Sequence, residues 1–305
     1  MEDSSQLGHA GGFRSGFAAI IGRPNVGKST LVNALIGDKV AITSDRPQTT
    51  RSSIRGILEA EGVQVVFVDT PGYHKPRTAL GSRLNDIVRS AWSDVDVALF
   101  VVDGHSGVGR GDEKVAHDLA GAKRPVISVV NKIDRLDRDH IAQALAKAAT
   151  LGDFDEYVPV SALTGDGVSL LRELVVARMP EGPMYYPPGT TSDQPPPIFV
   201  AELVREKLLA LTRDELPHSI AVVTDEFEER EDGLLEIRAS IFVERESQKG
   251  MVIGKGGEVI KAAGTEARHE IEALFGCPVF IDLRVRVEKD WQRHLYALER
   301  LGFDV

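Results

Sequence analysis

The nine residues Gly22-Arg23-Pro24-Asn25-Val26-Gly27-Lys28-Ser29-Thr30 stand between two segments of different periodicity. Residues 17–21 form a continuous apolar run of strand length, and Leu31, Val32, Leu35 and Ile36 recur at helical spacing. A strand apolar on both faces must be covered on both faces, as in a parallel sheet between layers of helices. The loop fits G-x-x-x-x-G-K-[ST]. Its glycines let successive backbone N–H groups curl toward one point, and the next helix adds the positive end of its dipole. Such a loop cradles phosphates. Lys28 is placed to reach a β- and a γ-phosphate, and the Ser29 hydroxyl to ligate Mg²⁺.

The alternation continues to about residue 179. Strands are expected at 63–68, 95–102, 125–130 and 157–160, and helices at 80–92, 112–120, 140–149 and 168–178. The stretch 181–197 is dense in Pro, Gly, Thr and Ser and reads as a linker. Beyond it the order changes. A helix at 202–211 precedes strands at 219–226 and 234–244, a short helix, a long helix at 259–274, a strand at 278–287 and an amphipathic helix at 291–301. The chain thus divides into a polar, disordered lead-in (1–16), a mostly parallel α/β domain (17–180), a linker (181–197) and a smaller α+β domain (198–305). The terminal helix, with Trp291, Leu295, Leu298 and Leu301, is expected to pack against the second domain's sheet.

The lead-in lacks the apolar core of a signal peptide, and no run is long and apolar enough to span a bilayer. The one cysteine, Cys277, excludes an internal disulfide framework and suits a reducing cytoplasm. A formal net charge of −10 argues against a protein that coats nucleic acid non-specifically, but leaves room for a local basic site.

Three further motifs complete the first site. Asp69-Thr70-Pro71-Gly72 ends the 63–68 strand, where a carboxylate can hold Mg²⁺ and Gly72 offers an N–H to a γ-phosphate. In Pro47-Gln48-Thr49-Thr50-Arg51 a threonine can ligate Mg²⁺ in the triphosphate state; Thr50 is favoured over Thr49. Asn131-Lys132-Ile133-Asp134 identifies the base. Guanine presents two adjacent donors that one carboxylate accepts together, whereas adenine would leave Asp134 poorly paired. Asn131 ties the loop, the Lys132 stem lies along the base plane, and Ser161-Ala162-Leu163 supplies an N–H to the guanine O6. The expected phosphate contacts run from Gly22 to Thr30 and from Asp69 to Gly72. Ser29, Thr50 and Asp69 form the Mg²⁺ set.

In the second domain Val252-Ile253-Gly254-Lys255-Gly256-Gly257 contains a G-x-x-G turn between two helices, which lets a phosphodiester chain approach the backbone. Lys249, Lys255 and Lys261 concentrate positive charge there, and Ile253, Val259 and Ile260 can floor a groove for bases. Arg284 and Arg286 either flank the groove or face solvent.

With GRPNVGKST, QTTR, DTPG, NKID, SAL and VIGKGG in this order, residues 17–303 resemble the Era family, bacterial GTPases of the Ras-like, translation-factor-like kind with a C-terminal type II KH domain. The resemblance implies a slow GTPase that binds 16S ribosomal RNA near its 3′ end and assists assembly of the 30S subunit. It also implies a cytoplasmic monomer with peripheral association at the inner membrane face. Tyr73 occupies the place where Ras-like proteins carry a water-orienting Gln. Related GTPases compensate with K⁺, and a phosphate-loop Asn marks those that do; Asn25 matches. The catalytic set is accordingly Asn25, Lys28, Thr50 and Gly72. Two rival readings are an RNA-binding module with a vestigial GTPase domain and a membrane-associated signalling GTPase coupling growth to division.

Overall fold

The computed structural model describes residues 12–46, 49–73, 76, 78–121, 124–212 and 216–303. The first half contains β1 (Arg14–Ile21), α1 (Lys28–Ile36), β2 (Ile54–Ala60), β3 (Val63–Asp69), α2 (Ala79–Ser93) and β4 (Val97–Asp103). It continues with α3 (Arg110–Leu119), β5 (Val126–Asn131), α4 (Arg138–Ala149), β6 (Glu156–Pro159) and α5 (Val168–Ala177). The six strands form one sheet in the order β2-β3-β1-β4-β5-β6. All neighbours are parallel except β2, which pairs antiparallel with β3. Leu31 and Leu35 of α1 and Leu171 and Val175 of α5 bury against one face of this sheet. Val115 of α3 and Ala148 of α4 bury against the other, on Phe100 and Val130.

Two features depart from the sequence reading. No strand was expected between α1 and β3, yet Ile54–Ala60 forms an edge strand. Its outward residues are charged or small, so the apolar signal is half that of the buried strands. β1 also starts at Arg14, inside the segment assigned to the lead-in. Gly16 pairs with Val65, and the Ser15 hydroxyl donates to the Pro183 carbonyl at 2.6 Å. The rest of the lead-in, 1–11, lies outside the described residues, as do Pro47 and Gln48. The Pro-rich stretch is tied to β3: the Gln64 amide accepts from the Tyr185 and Tyr186 N–H groups and donates to the Tyr186 carbonyl at 2.9 Å.

The second half opens with α6 (Pro196–Leu211), which begins within the expected linker because proline is tolerated in a helix's first turn. It is followed by α7 (Leu216–Ser219), β7 (Ala221–Glu229), β8 (Leu235–Val243), α8 (Glu246–Ile253), α9 (Glu258–Phe275), β9 (Val279–Val287) and α10 (Leu295–Arg300). The sheet order is β7-β8-β9, antiparallel then parallel. α6 and α9 cover one face through Val200, Val204, Ala267 and Ile271 on Ile237 and Ile241.

The expected terminal helix is a 3-10 turn, Trp291–Arg293, followed by the short α10. Trp291, Leu298 and Leu301 do meet the sheet through Ala221, Val223 and Phe242, but they equally bury Leu80 and Leu84 of α2. The two halves therefore share a core. Ile42, in the loop between α1 and β2, is buried in the second half's cluster.

Candidate functional site

α1 starts at Lys28 with Gly27 as its N-cap and no acidic residue in its first turn, so its positive end is uncompensated. Lys28 is 6 % exposed, and its Nζ donates to the Arg23 carbonyl at 3.2 Å. Burial lowers its pKa to about 8, and Asp69 limits the drop. Asp69 ends β3 fully buried. One oxygen, Oδ2, accepts from the Ser29 hydroxyl at 2.7 Å and the Thr50 hydroxyl at 3.1 Å, and these hydroxyls are 2.8 Å apart. Burial raises the Asp69 pKa against the pull of Lys28, Ser29 and Thr50. Among the described residues Asp69 Oδ1 is buried without a hydrogen-bond partner.

Three hard oxygens thus converge where a Mg²⁺ ligand set was expected. Thr49 does not join them; its hydroxyl donates to the Arg46 carbonyl at 2.7 Å. Gly72 lies against Pro24, and a Cβ there would stand 2.7 Å from the Pro24 Cα. A glycine is therefore required for β3's end to approach the phosphate loop. Val26 and Thr70 contribute backbone rather than side chains. Val26 is core, and the Thr70 hydroxyl donates to the Ile20 carbonyl at 2.7 Å. Arg23, expected among the phosphate-loop contacts, directs its side chain elsewhere. It pairs with Asp112 at 3.0 Å and the Gly107 carbonyl at 2.9 Å, because the buried Asp112 needs a counter-ion.

Tyr73 is 2 % exposed and points into the layer between α2 and α3. Its hydroxyl donates to Asp118 Oδ2 at 2.8 Å, and Lys114 Nζ lies 4.8 Å from its ring centroid.

The base-reading loops are tied to the phosphate loop. Asn131 donates to the Val26 carbonyl at 2.8 Å and accepts from the Ala162 N–H at 3.0 Å. Lys132 donates to the Asn25 carbonyl at 2.6 Å and pairs with Asp103 at 2.9 Å. Asp134 is oriented by the Ser161 hydroxyl at 2.7 Å. Leu163 is exposed and stands with Asp134, Thr30 and Asn25 around a cleft of about 940 Å³. Asn25 has a positive φ of 64°, and its amide donates to the Asp45 carbonyl at 2.7 Å, joining the phosphate loop to the loop that carries Thr50.

The residues that the sequence reading missed are those binding this loop to the second half. Arg51, next to Thr50, is buried and donates to the Ile220 carbonyl at 2.5 Å and the His218 carbonyl at 2.9 Å, with its guanidinium 5.5 Å from the Trp291 ring centroid. The buried Arg205 of α6 donates to the Thr49 carbonyl, and Glu206 accepts from the Thr43 N–H at 2.7 Å. Arg51 lies in the QTTR motif, but nothing local marked Arg205 or Glu206 as partners of this loop.

At the second site α8 ends at Gly254, whose φ of 74° requires glycine, and α9 begins after Gly257. Lys255 and Gly256 are exposed at the tip, Lys261 is exposed on the first turns of α9, and Lys249 and Ile253 are half-buried on α8. Val259 and Ile260 are half-buried beside them. Glu258 sits in α9's first turn and offsets its positive end, which leaves the lysines as the attraction for a phosphate. Arg284 and Arg286 lie on the sheet face away from α9, and Arg284 pairs with Asp282 at 3.1 Å.

Comparison with known proteins agrees with both halves. A family model described as a 50S ribosome-binding GTPase matches residues 17–132, and a KH domain model matches 215–292. The GTPase Era of Streptomyces coelicolor is 50% identical over 95% of this chain and 95% of its own length. The chain belongs to the Era family of GTPases. A crystal structure of Era in complex with MgGDPNP and nucleotides 1506-1542 of 16S ribosomal RNA superposes with a TM-score of 0.91 at 35% identity, covering 96% of this chain and 100% of that one. A variant of Aquifex aeolicus Era bound to GDP·AlF4⁻ superposes at 0.92 with the same identity and coverage. Like these Era structures, the protein is a Ras-like GTPase domain followed by a KH domain.

Proposed function

We propose that the protein is a GTP-driven switch that binds 16S ribosomal RNA near its 3′ end through its KH domain and assists 30S subunit assembly in the cytoplasm. In this reading the GTPase domain spans 17–180, extended by the start of β1 at Arg14, and the KH domain 198–305, extended by the start of α6 at Pro196. What carries it is the adjacency of Thr50 and Arg51. Thr50 meets Ser29 and Asp69, and Arg51 is plugged into the KH half. Whatever orders Thr50 is felt by the RNA-binding domain one residue away.

Lys28 and the Gly22–Thr30 backbone hold the phosphates, Gly72 offers its N–H to the γ-phosphate, and Asp134 reads guanine. Ser29, Thr50 and Asp69 fit Mg²⁺: they are hard oxygens, and the unpartnered Asp69 Oδ1 is the feature an ion or its water would satisfy. Mg²⁺ held there neutralises charge on the phosphate oxygens. Asn25 engages the Asp45 carbonyl through its amide N–H, which leaves its Oδ1 as a donor suited to K⁺. With the Tyr73 hydroxyl committed to Asp118, K⁺ held by Asn25 would supply positive charge to the phosphates in place of a side chain that positions water. Equal turnover in KCl and NaCl at matched ionic strength would sink the potassium part.

The switch is tested by measuring affinity for an RNA of the 16S 3′ end with a GTP analogue and with GDP. Tighter binding in one state is expected, and identical affinities refute the coupling. Replacing Lys255 and Gly256 together by Asp should abolish RNA binding while GTP binding persists.

A further inference from the structure

The cleft beside Asp134 is walled by both domains. The base-reading loops form one side, and Glu206, Lys207 and Ala210 of α6 with Glu266 of α9 form the other. At about 940 Å³ it lies at the upper end of small-molecule sites, and residues of the KH helices form part of its lining. A closed ring of four charges fastens this wall. Lys39, in the loop after α1, pairs with Glu206 at 2.6 Å and with Glu270 of α9; Lys207 pairs with Glu206 at 3.2 Å and with the same Glu270.

Lys39 is the ring's single contribution from the GTPase domain. Each lysine touches both glutamates, so losing Lys39 leaves two partly buried carboxylates to one cation. Glu206 has a second duty, because its other oxygen accepts from the Thr43 N–H and so pins the loop that carries Thr50. α9 begins at the G-x-x-G turn and carries both Glu266 and Glu270.

We propose that this ring is a latch by which the KH domain holds nucleotide in its cleft, making α6 and α9 part of the nucleotide site and setting the rate of nucleotide release. Opening it widens the mouth of the cleft and frees Thr43, and with it the Thr50 loop. The proposal rests on reading the cleft as a guanine-nucleotide site.

The test uses the full chain loaded with radiolabelled GDP and chased with excess unlabelled GDP. Lys39→Met and Glu270→Gln should each release GDP about fivefold faster than wild type, and the double variant should gain less than the product of the two, as for residues in one network. Arg238→Met, which breaks pairs with Glu226 and Glu236 elsewhere on the KH sheet, should release at the wild-type rate. Wild-type release from both latch variants overturns the latch, as does equal acceleration by Arg238→Met, which would mean general loosening. A wild-type chain that fails to retain GDP at all overturns the nucleotide reading instead.

Discussion

Lys28 should make the nucleotide-free protein less stable than it would be without its charge. Among the described residues the buried ammonium's one hydrogen-bond partner is the Arg23 carbonyl, and its pKa falls from 10.5 to about 8. A drop of that size corresponds to roughly 3 kcal/mol against the charged form. Replacing Lys28 by Met keeps the length of the chain and loses one hydrogen bond, worth about 1 kcal/mol. Without nucleotide, the variant should therefore be more stable than wild type by roughly 2 kcal/mol at neutral pH. The pH dependence has a definite sign. Below about pH 8 both the folded and unfolded chains hold the proton, and the burial cost is complete. Between there and 10.5 the unfolded chain keeps a proton that the fold has released, so wild-type stability rises with pH. The advantage of the variant should shrink by roughly 2 kcal/mol between about pH 7 and about pH 9.5. Urea denaturation of both proteins at the two pH values measures this. Excess GTP should reverse the order at neutral pH, because it stabilises only the protein that still binds it. A nucleotide-free variant less stable than wild type at neutral pH, or a gap that ignores pH, would refute the reasoning.

Asp134→Asn should weaken GDP binding by about a hundredfold in competition assays, since guanine's paired donors lose their common acceptor, while the melting temperature changes little. Trp291→Ala removes a fully buried ring that stacks on Phe303 at 5.5 Å and donates to the Ser219 carbonyl. It should cost about 3–5 kcal/mol in chemical denaturation. Tyr73→Phe removes the bond to Asp118 and should cost about 1 kcal/mol while leaving the rate of GTP hydrolysis unchanged, because the hydroxyl points away from the phosphates. A large fall in that rate would show the orientation of Tyr73 to be wrong.

The nucleotide site was legible because most of its parts follow a strand end, and strand ends are marked by abrupt loss of apolar character. Asp69 and Asn131 follow such runs directly. The β2 edge strand was missed because Arg55, Gly56, Glu59 and Ala60 dilute its apolar residues. The start of α6 was hidden by Pro195, Pro196 and Pro197, which read as linker until the cap geometry shows them entering a helix. The join between the domains was illegible for a different reason. Arg51, Arg205 and Lys39 are charged residues that a sequence assigns to the surface; the burial of the two arginines and the partial burial of Lys39 depend on carbonyls and carboxylates supplied by distant segments. Arg23 shows the converse: membership in a phosphate loop does not direct a side chain when a buried carboxylate nearby competes for it.

The shared core of α2 and α10 has a consequence for how the chain is made. Leu80 and Leu84 are fully covered in the finished protein, and part of that cover comes from Trp291, Leu298 and Leu301. While the ribosome is still producing the KH strands, the GTPase domain can fold, but this apolar stripe has nothing to lie against. The nascent chain carries a sticky surface until residues 291–301 emerge, which invites chaperone capture or aggregation. A GTPase domain cut off after α5 would bear the same stripe permanently.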